Sequence, residues 1–144
     1  MKTGESVAST LERELDSTIK EWLRRVNLVS ELTKIQLSDA ERTGHLPQLV
    51  ADLVCRLRGA PDAQPLDSIA AAAHGKVRFA QGYSVAMLVE ESRIFQVSTF
   101  GTLHLNQSKL DQNQMLLDVI TIADEADGQL AETVRSFMAA KAAD

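Results

Sequence analysis

The side chains with chemistry in them crowd into one stretch, His74-Gly-Lys-Val-Arg78-Phe-Ala-Gln81-Gly82-Tyr83-Ser-Val-Ala-Met-Leu-Val-Glu-Glu91-Ser-Arg93-Ile-Phe. His74 and Arg78 stand four residues apart, which puts them on one face of a helix. Gly82-Tyr83 is a turn signal. Two antiparallel helices folded at that point set His74 opposite Glu91, with Arg78 within one turn. An imidazole, a guanidinium and a carboxylate so placed form a polar clasp that fixes how two helices sit together. The same trio admits a switch, in which protonation of His74 or a docked ligand loosens the clasp.

Little else in the chain points to chemistry. The histidines are His45, His74 and His104, no two of them four apart, and there is no H-E-x-x-H or C-x-x-C. Glu41 and His45 share a helical face and read as a surface pair rather than a metal site. Nucleophile-elbow, Walker A and dinucleotide patterns are missing too. The expectation is a protein that is not an enzyme, with no metal and no cofactor. The lone Cys55 cannot form an internal disulfide and lies in an apolar run, so it is expected to be a small core residue.

Charge narrows the partners. The net charge is −5, which argues against nucleic-acid binding, since phosphate contacts need clustered cations. From residue 110 onward, seven acids (Asp111, Asp118, Asp124, Glu125, Asp127, Glu132, Asp144) face two bases (Arg135, Lys141), a pattern read as a solvated helix face. No apolar run approaches the roughly 18 residues of a membrane span, and no signal-peptide core opens the chain, so a cytoplasmic location is expected.

The elements that must position these residues are helices. Hydrophobic residues make up 44% and charged residues 24%, an ordinary globular balance. Leu and Ala together supply a quarter of the chain, and every proline lies before residue 66. Val7, Leu11, Leu15, Ile19, Trp22 and Val26 form one stripe and predict a helix over about 5–28, capped by Thr3 or Ser6. Ser38 and Glu41 fit a capping box that opens a short helix before Gly44. Leu46-Pro47 begins a helix with Leu49, Val50, Leu53, Val54 and Leu57 inward, stopped by Gly59 and Pro61. Residues 60–65 read as a loop. A helix over about 66–81 should turn Ile69, Ala73, Val77 and Ala80 inward. The helix over about 85–106, capped by Ser84, is apolar nearly all round and should be central. Ser108 and Asp111 suggest a second capping box. The last helix runs to about residue 140, with Leu116, Val119, Ala123, Ala126, Leu130, Val134 and Phe137 inward.

The H-G-x-x-R-x-x-Q-G-Y pattern, followed by a leucine-type helix carrying E-x-R, resembles the N-terminal domain of the RsbT co-antagonist protein RsbRD. The upstream Leu-Ser-Asp-Ala-Glu and His-Leu-Pro-Gln-Leu-Val-Ala-Asp-Leu stretches are similar to that family as well, and the likeness covers most of the chain. Ser92 departs from it, standing where the family tends to carry an aromatic residue. The resemblance implies a signalling context, because such domains precede histidine kinase or STAS modules in bacterial signalling chains. It also marks His74, Arg78, Gln81, Gly82, Tyr83, Glu91 and Arg93 as the motif residues.

Together these readings give an all-α, single-domain bundle of about five to six helices over residues 1–144, at most distantly globin-like. The expected function is that of a sensory or regulatory, protein-interaction input domain in bacterial signal transduction and stress response. Its expected partners are proteins: a second copy of itself, as a dimer, and a downstream kinase or STAS output domain into which the last helix could continue. Two alternatives are a phosphotransfer-like bundle with His74 as acceptor and a haem- or small-ligand-binding globin-like sensor with His74 or His104 as axial ligand. The Gly and Lys that follow His74 sit too close to it for the phosphotransfer spacing, and six aromatics give little to line a haem slot.

Overall fold

The computed structural model describes residues 4–59 and 67–144. Those residues form eight α-helices: α1 (Val7–Arg13), α2 (Leu15–Val26), α3 (Ser30–Thr33), α4 (Asp39–Thr43), α5 (Leu46–Leu57), α6 (Ile69–Ala80), α7 (Val85–Leu105) and α8 (Met115–Ala143). A 3-10 turn, Gln107–Lys109, precedes α8. The protein is an all-α bundle, as its composition and periodicity predict. Thr3, Pro61, Pro65 and Leu66, expected in a cap, a stop, a loop and a helix start, lie outside the described residues.

Local chemistry sets the helix boundaries. Ser6, Ser68 and Ser84 each accept a hydrogen bond from the backbone N–H three residues on, capping α1, α6 and α7. The capping box at Ser38 and Glu41 is complete in both directions and opens α4. The predicted 5–28 helix bends at Glu14, so that α1 and α2 are two pieces. The carbonyl of Glu14 accepts from the hydroxyls of Ser17 and Thr18 as well as from the Thr18 N–H. Hydroxyl back-bonding of this kind bends helices. The Ser108 capping box is not formed. Ser108 lies in the 3-10 turn, and backbone pairing of Glu5 with the 109–111 segment holds that corner.

The five longer pieces of helix pack around one core that includes Leu11, Trp22, Val26, Leu53, Leu88, Ile94, Leu103, Ile122 and Phe137. Helix α7 rests on α1, α2 and α8, while α8 also packs on α5 and along α6. Several inward assignments need correction. On α6, Ile69 is 88% exposed and Val77 and Ala80 are also exposed, whereas Ala70, Ala71, Gly75 and Arg78 are buried. The face turns because α6 lies very close to α8. A Cβ on Gly75 would come within 2.2 Å of the Thr133 carbonyl oxygen. The hydroxyls of Thr133 and Ser136 donate to the carbonyls of Ala71 and Ala72 across the same seam.

Helix α7 is not buried all round. Val89 and Leu105 face outward, and Glu91, Ser98, Thr99 and Thr102 occupy its inner face. Leu116 is exposed at the start of α8 beside Leu117 and Ile120. Cys55 is exposed, contrary to expectation, because Arg56 takes the inward position on α5. Arg56 reaches Glu125 at 3.2 Å and Asp124 at 2.8 Å on α8. Glu125 is fully buried, so the acids of α8 are not all on a solvated face.

Replacing Gly75 by Ala should lower stability by about 1–3 kcal/mol, the usual cost of overpacking. Gly101→Ala in α7, where an added Cβ meets nothing within 4 Å, should be neutral or stabilise by up to about 1 kcal/mol. Denaturant titrations of the two variants against the parent check the contrast.

Candidate functional site

The cluster is assembled by the end of α6. Gly82 has φ of +90°, the conformation in which a glycine carries no steric penalty. The Tyr83 N–H donates to the Arg78 carbonyl and the Gly82 N–H to the Phe79 carbonyl, which is the paired bonding of a Schellman stop. That stop folds the residue after the glycine back over the last full turn. The Tyr83 ring therefore lies under the Arg78 guanidinium, whose carbon is 4.7 Å from the ring centre. The R-x-x-Q-G-Y spacing is the sequence form of this geometry.

Arg78 is completely buried. Its Nε donates to Glu91 Oε1 at 3.0 Å and one Nη2 hydrogen to Glu91 Oε2 at 3.1 Å, a two-pronged pair. Nη2 also donates to the Arg42 carbonyl at 2.7 Å, and Nη1 donates to Gln81 Oε1 at 2.7 Å and to the Glu41 carbonyl at 3.5 Å. These five bonds match the five hydrogens a guanidinium carries. Two of them satisfy carbonyls near the end of α4 that have no partner within that helix.

Glu91, on α7, is almost as deeply buried and accepts on both oxygens. Oε1 receives Arg78 Nε and faces His74 Nε2 at 3.3 Å, while Oε2 receives Arg78 Nη2 and the Tyr83 hydroxyl at 2.7 Å. Tyr83 in turn accepts from Arg42 Nη1 at 3.0 Å. Arg42 also donates to the carbonyls of Ile35 and Leu32, tying the α3 end to the same knot. Trp22 donates from its indole N–H to the Glu91 backbone carbonyl at 3.3 Å.

Charge and burial oppose each other at this point. Burial pushes the Glu91 carboxyl upward most strongly, but the His74 hydrogen bond, the Arg78 charge and the Tyr83 hydroxyl together hold it below its ordinary value. The Tyr83 hydroxyl is pushed well above its ordinary value by burial and then by the Glu91 charge, so it stays a donor.

His74 extends the cluster toward the surface. Its Nδ1 lies 3.0 Å from Nδ1 of His45, and the two rings meet edge to face. His45 stands at the N-cap of α5 and is partly exposed. Burial, then the neighbouring His74 and Arg78, lower its pKa. Both nitrogens of His74 are engaged. A cavity of about 40 Å³ adjoins the cluster, walled by Trp22, Leu46, Leu88, Phe95 and Leu130. It has room for a few waters. His104 is exposed on α7.

Six of the motif residues meet here: His74, Arg78, Gln81, Gly82, Tyr83 and Glu91. Arg93 does not. It lies on the outer face of α7, paired with Glu90 at 2.6 Å. The α6 and α7 segments are not a tightly packed hairpin. Helix α6 lies along α8, and long side chains bridge to α7. Sequence reasoning missed Arg42, His45 and Trp22. Spacing pairs His45 with Glu41, but Glu41 is occupied with the Ser38 cap. Among the described residues no group of three His, Cys, Asp or Glu is placed to hold a metal ion. No protein-family model, curated protein or solved structure matches this chain. The likeness to the RsbRD N-terminal domain therefore stands on the quoted residues alone.

Removing one partner of the buried pair, as in Arg78→Met or Glu91→Ala, should cost about 3–5 kcal/mol, because an uncompensated charge or an emptied guanidinium socket is left behind. Tyr83→Phe and His74→Ala should each cost about 1–3 kcal/mol. Because the folded Glu91 pKa is depressed, its contribution is full above the unfolded value of about 4.5. It is lost as the pH falls through the folded value. Urea titrations across that range should show the loss in the parent and a flatter profile in Glu91→Gln.

Proposed function

We propose that the chain is a sensory or regulatory input domain of a bacterial signalling protein, acting by protein interaction rather than catalysis. In this reading it works in the cytoplasm, in a stress-response or histidine kinase chain, and passes its state to a kinase or STAS output domain. The observation that carries the reading is the saturated cluster on Glu91. Five Arg78 donors and four Glu91 contacts are all used within the protein. Neither Arg78 nor Glu91 is left as a free base or nucleophile, and α3, α4, α6 and α7 are all tied to the cluster. A charged knot of this kind has few intermediate arrangements, which suits a two-state element.

Partner proteins, a second copy included, would use exposed apolar surface. Leu105, Leu116, Leu117 and Ile120, exposed at the α7–α8 corner, are the residues on which we place that contact. Sedimentation of the parent against Leu117→Glu tests it: the parent should associate and the variant should not. A monomeric parent would contradict self-association.

The function is tested in the full reading frame. Wild type and Tyr83→Phe are compared for output of the domain encoded beside these residues, with circular dichroism to confirm folding. Loosening the cluster by about 1–3 kcal/mol should shift a two-state output by roughly 5- to 150-fold. Unchanged output, or a neighbouring domain that is neither kinase nor STAS, contradicts the proposal.

A further inference from the structure

The gap between the two histidines holds one proton. His74 Nε2 faces the Glu91 carboxylate, so the hydrogen of a neutral His74 belongs on Nε2, and its Nδ1 is a lone pair. His45 must then donate Nδ1–H across the 3.0 Å gap. The first added proton can sit on His45 Nε2 and leave that bridge intact; only when His74 Nδ1 is protonated as well do two N–H groups stand head to head at a distance that only one can occupy. The surroundings oppose a second cation as well. Arg42 on α4 and Arg78 on α6 face the pair against the carboxylate of Glu91 on α7, while the Glu41 carboxylate on α4 is taken by the Ser38 cap. The first turn of α5 carries no acid, and Gln129 and Thr133 of α8, which line the same cavity, are uncharged. An imidazolium at His45 would also sit at the positive end of the α5 dipole.

From this geometry we propose that His45 and His74 form a proton-operated latch between the start of α5 and α6. The latch is closed while one proton bridges the Nδ1 atoms and open when both carry one. Opening removes His45 from His74, frees the α4–α5 corner and admits water to the cavity walled by Trp22. His74, now an imidazolium, keeps its place on Glu91, so the rest of the knot survives. Acid therefore loosens one edge of the cluster and does not unfold the bundle. The inference rests on the input-domain reading only for its purpose, since it names the stimulus as a fall in pH.

Trp22 is the chain's only tryptophan and lines the cavity beside His74 and Glu91, so it reports the change directly. Its emission, the imidazole nitrogen shifts by NMR and amide exchange are followed from pH 8 to 5. The expected result is a Trp22 transition below pH 7, coupled titration of the two rings, and faster exchange confined to residues 39–50. His45→Gln and His74→Gln, which cannot titrate, should lose the Trp22 transition while keeping the neutral-pH spectrum. If either variant fails to fold, the ring shifts of the parent still decide. Independent titration of both rings near the ordinary value of about 6.5, or a transition unchanged in His45→Gln, overturns the latch. A silent Trp22 with output still altered by Tyr83→Phe would remove the latch and leave the input-domain reading. An opening latch with unaltered output would do the reverse.

Discussion

A carboxylate taken out of water must find its hydrogen bonds inside the protein, and Glu91 is where this structure meets that demand. Its side chain is 4% exposed and receives Arg78 twice, Tyr83 and His74. Each donor comes with a constraint. Arg78 reaches it only if α6 ends where it does, and Tyr83 only if Gly82 turns the chain back. The remaining Arg78 hydrogens go to carbonyls of Glu41 and Arg42, which fixes α4 against α6. Such a pair adds little net stability compared with apolar packing of the same volume. Breaking it is costly, however, so it selects one arrangement of the helices over others.

The α6–α8 seam supports that arrangement from the other side. Gly75 and the alanines of α6 let α8 approach until backbone and side-chain hydroxyls bond directly. Arg78 lies one turn from Gly75 on the same helix and is buried with it. Arg78 and Glu91 are both buried, and burial strengthens the hydrogen bonds between them. On the opposite end of α8, Arg56 with Asp124 and Glu125 makes a second ionic tie, from α5.

What the sequence disclosed follows from range. Caps at Ser6, Ser38 and Ser84 were legible because their partners are three residues away. The elbow at Gly82-Tyr83 was legible because a Schellman stop is likewise local. His74 and Arg78 could be set near Glu91 because the elbow brings the following helix back. Arg42 and His45 were not legible, since they reach the site from 41 and 29 residues away, and nothing in their spacing points there. The inward face of α6 departs from its periodicity for a related reason. Apolar periodicity favoured Ile69 and Val77, but a buried arginine and a backbone-to-backbone approach outrank two aliphatic side chains. Cys55 was misplaced in the same way, by an arginine that faces inward to meet buried acids. In both helices a long cation took a position that periodicity reserves for an apolar residue.

Glu91 is a charged acceptor inside the bundle, and every tie to it depends on that charge. A carbon-13 NMR titration of its side-chain carboxyl measures that state directly. The carboxyl should remain ionised down through the ordinary value of 4.5 and titrate below it. A midpoint above 4.5 would mean that burial outweighs the three donor side chains. The knot would then be held by a neutral acid below that midpoint, and the charged pair with Arg78 would not exist there.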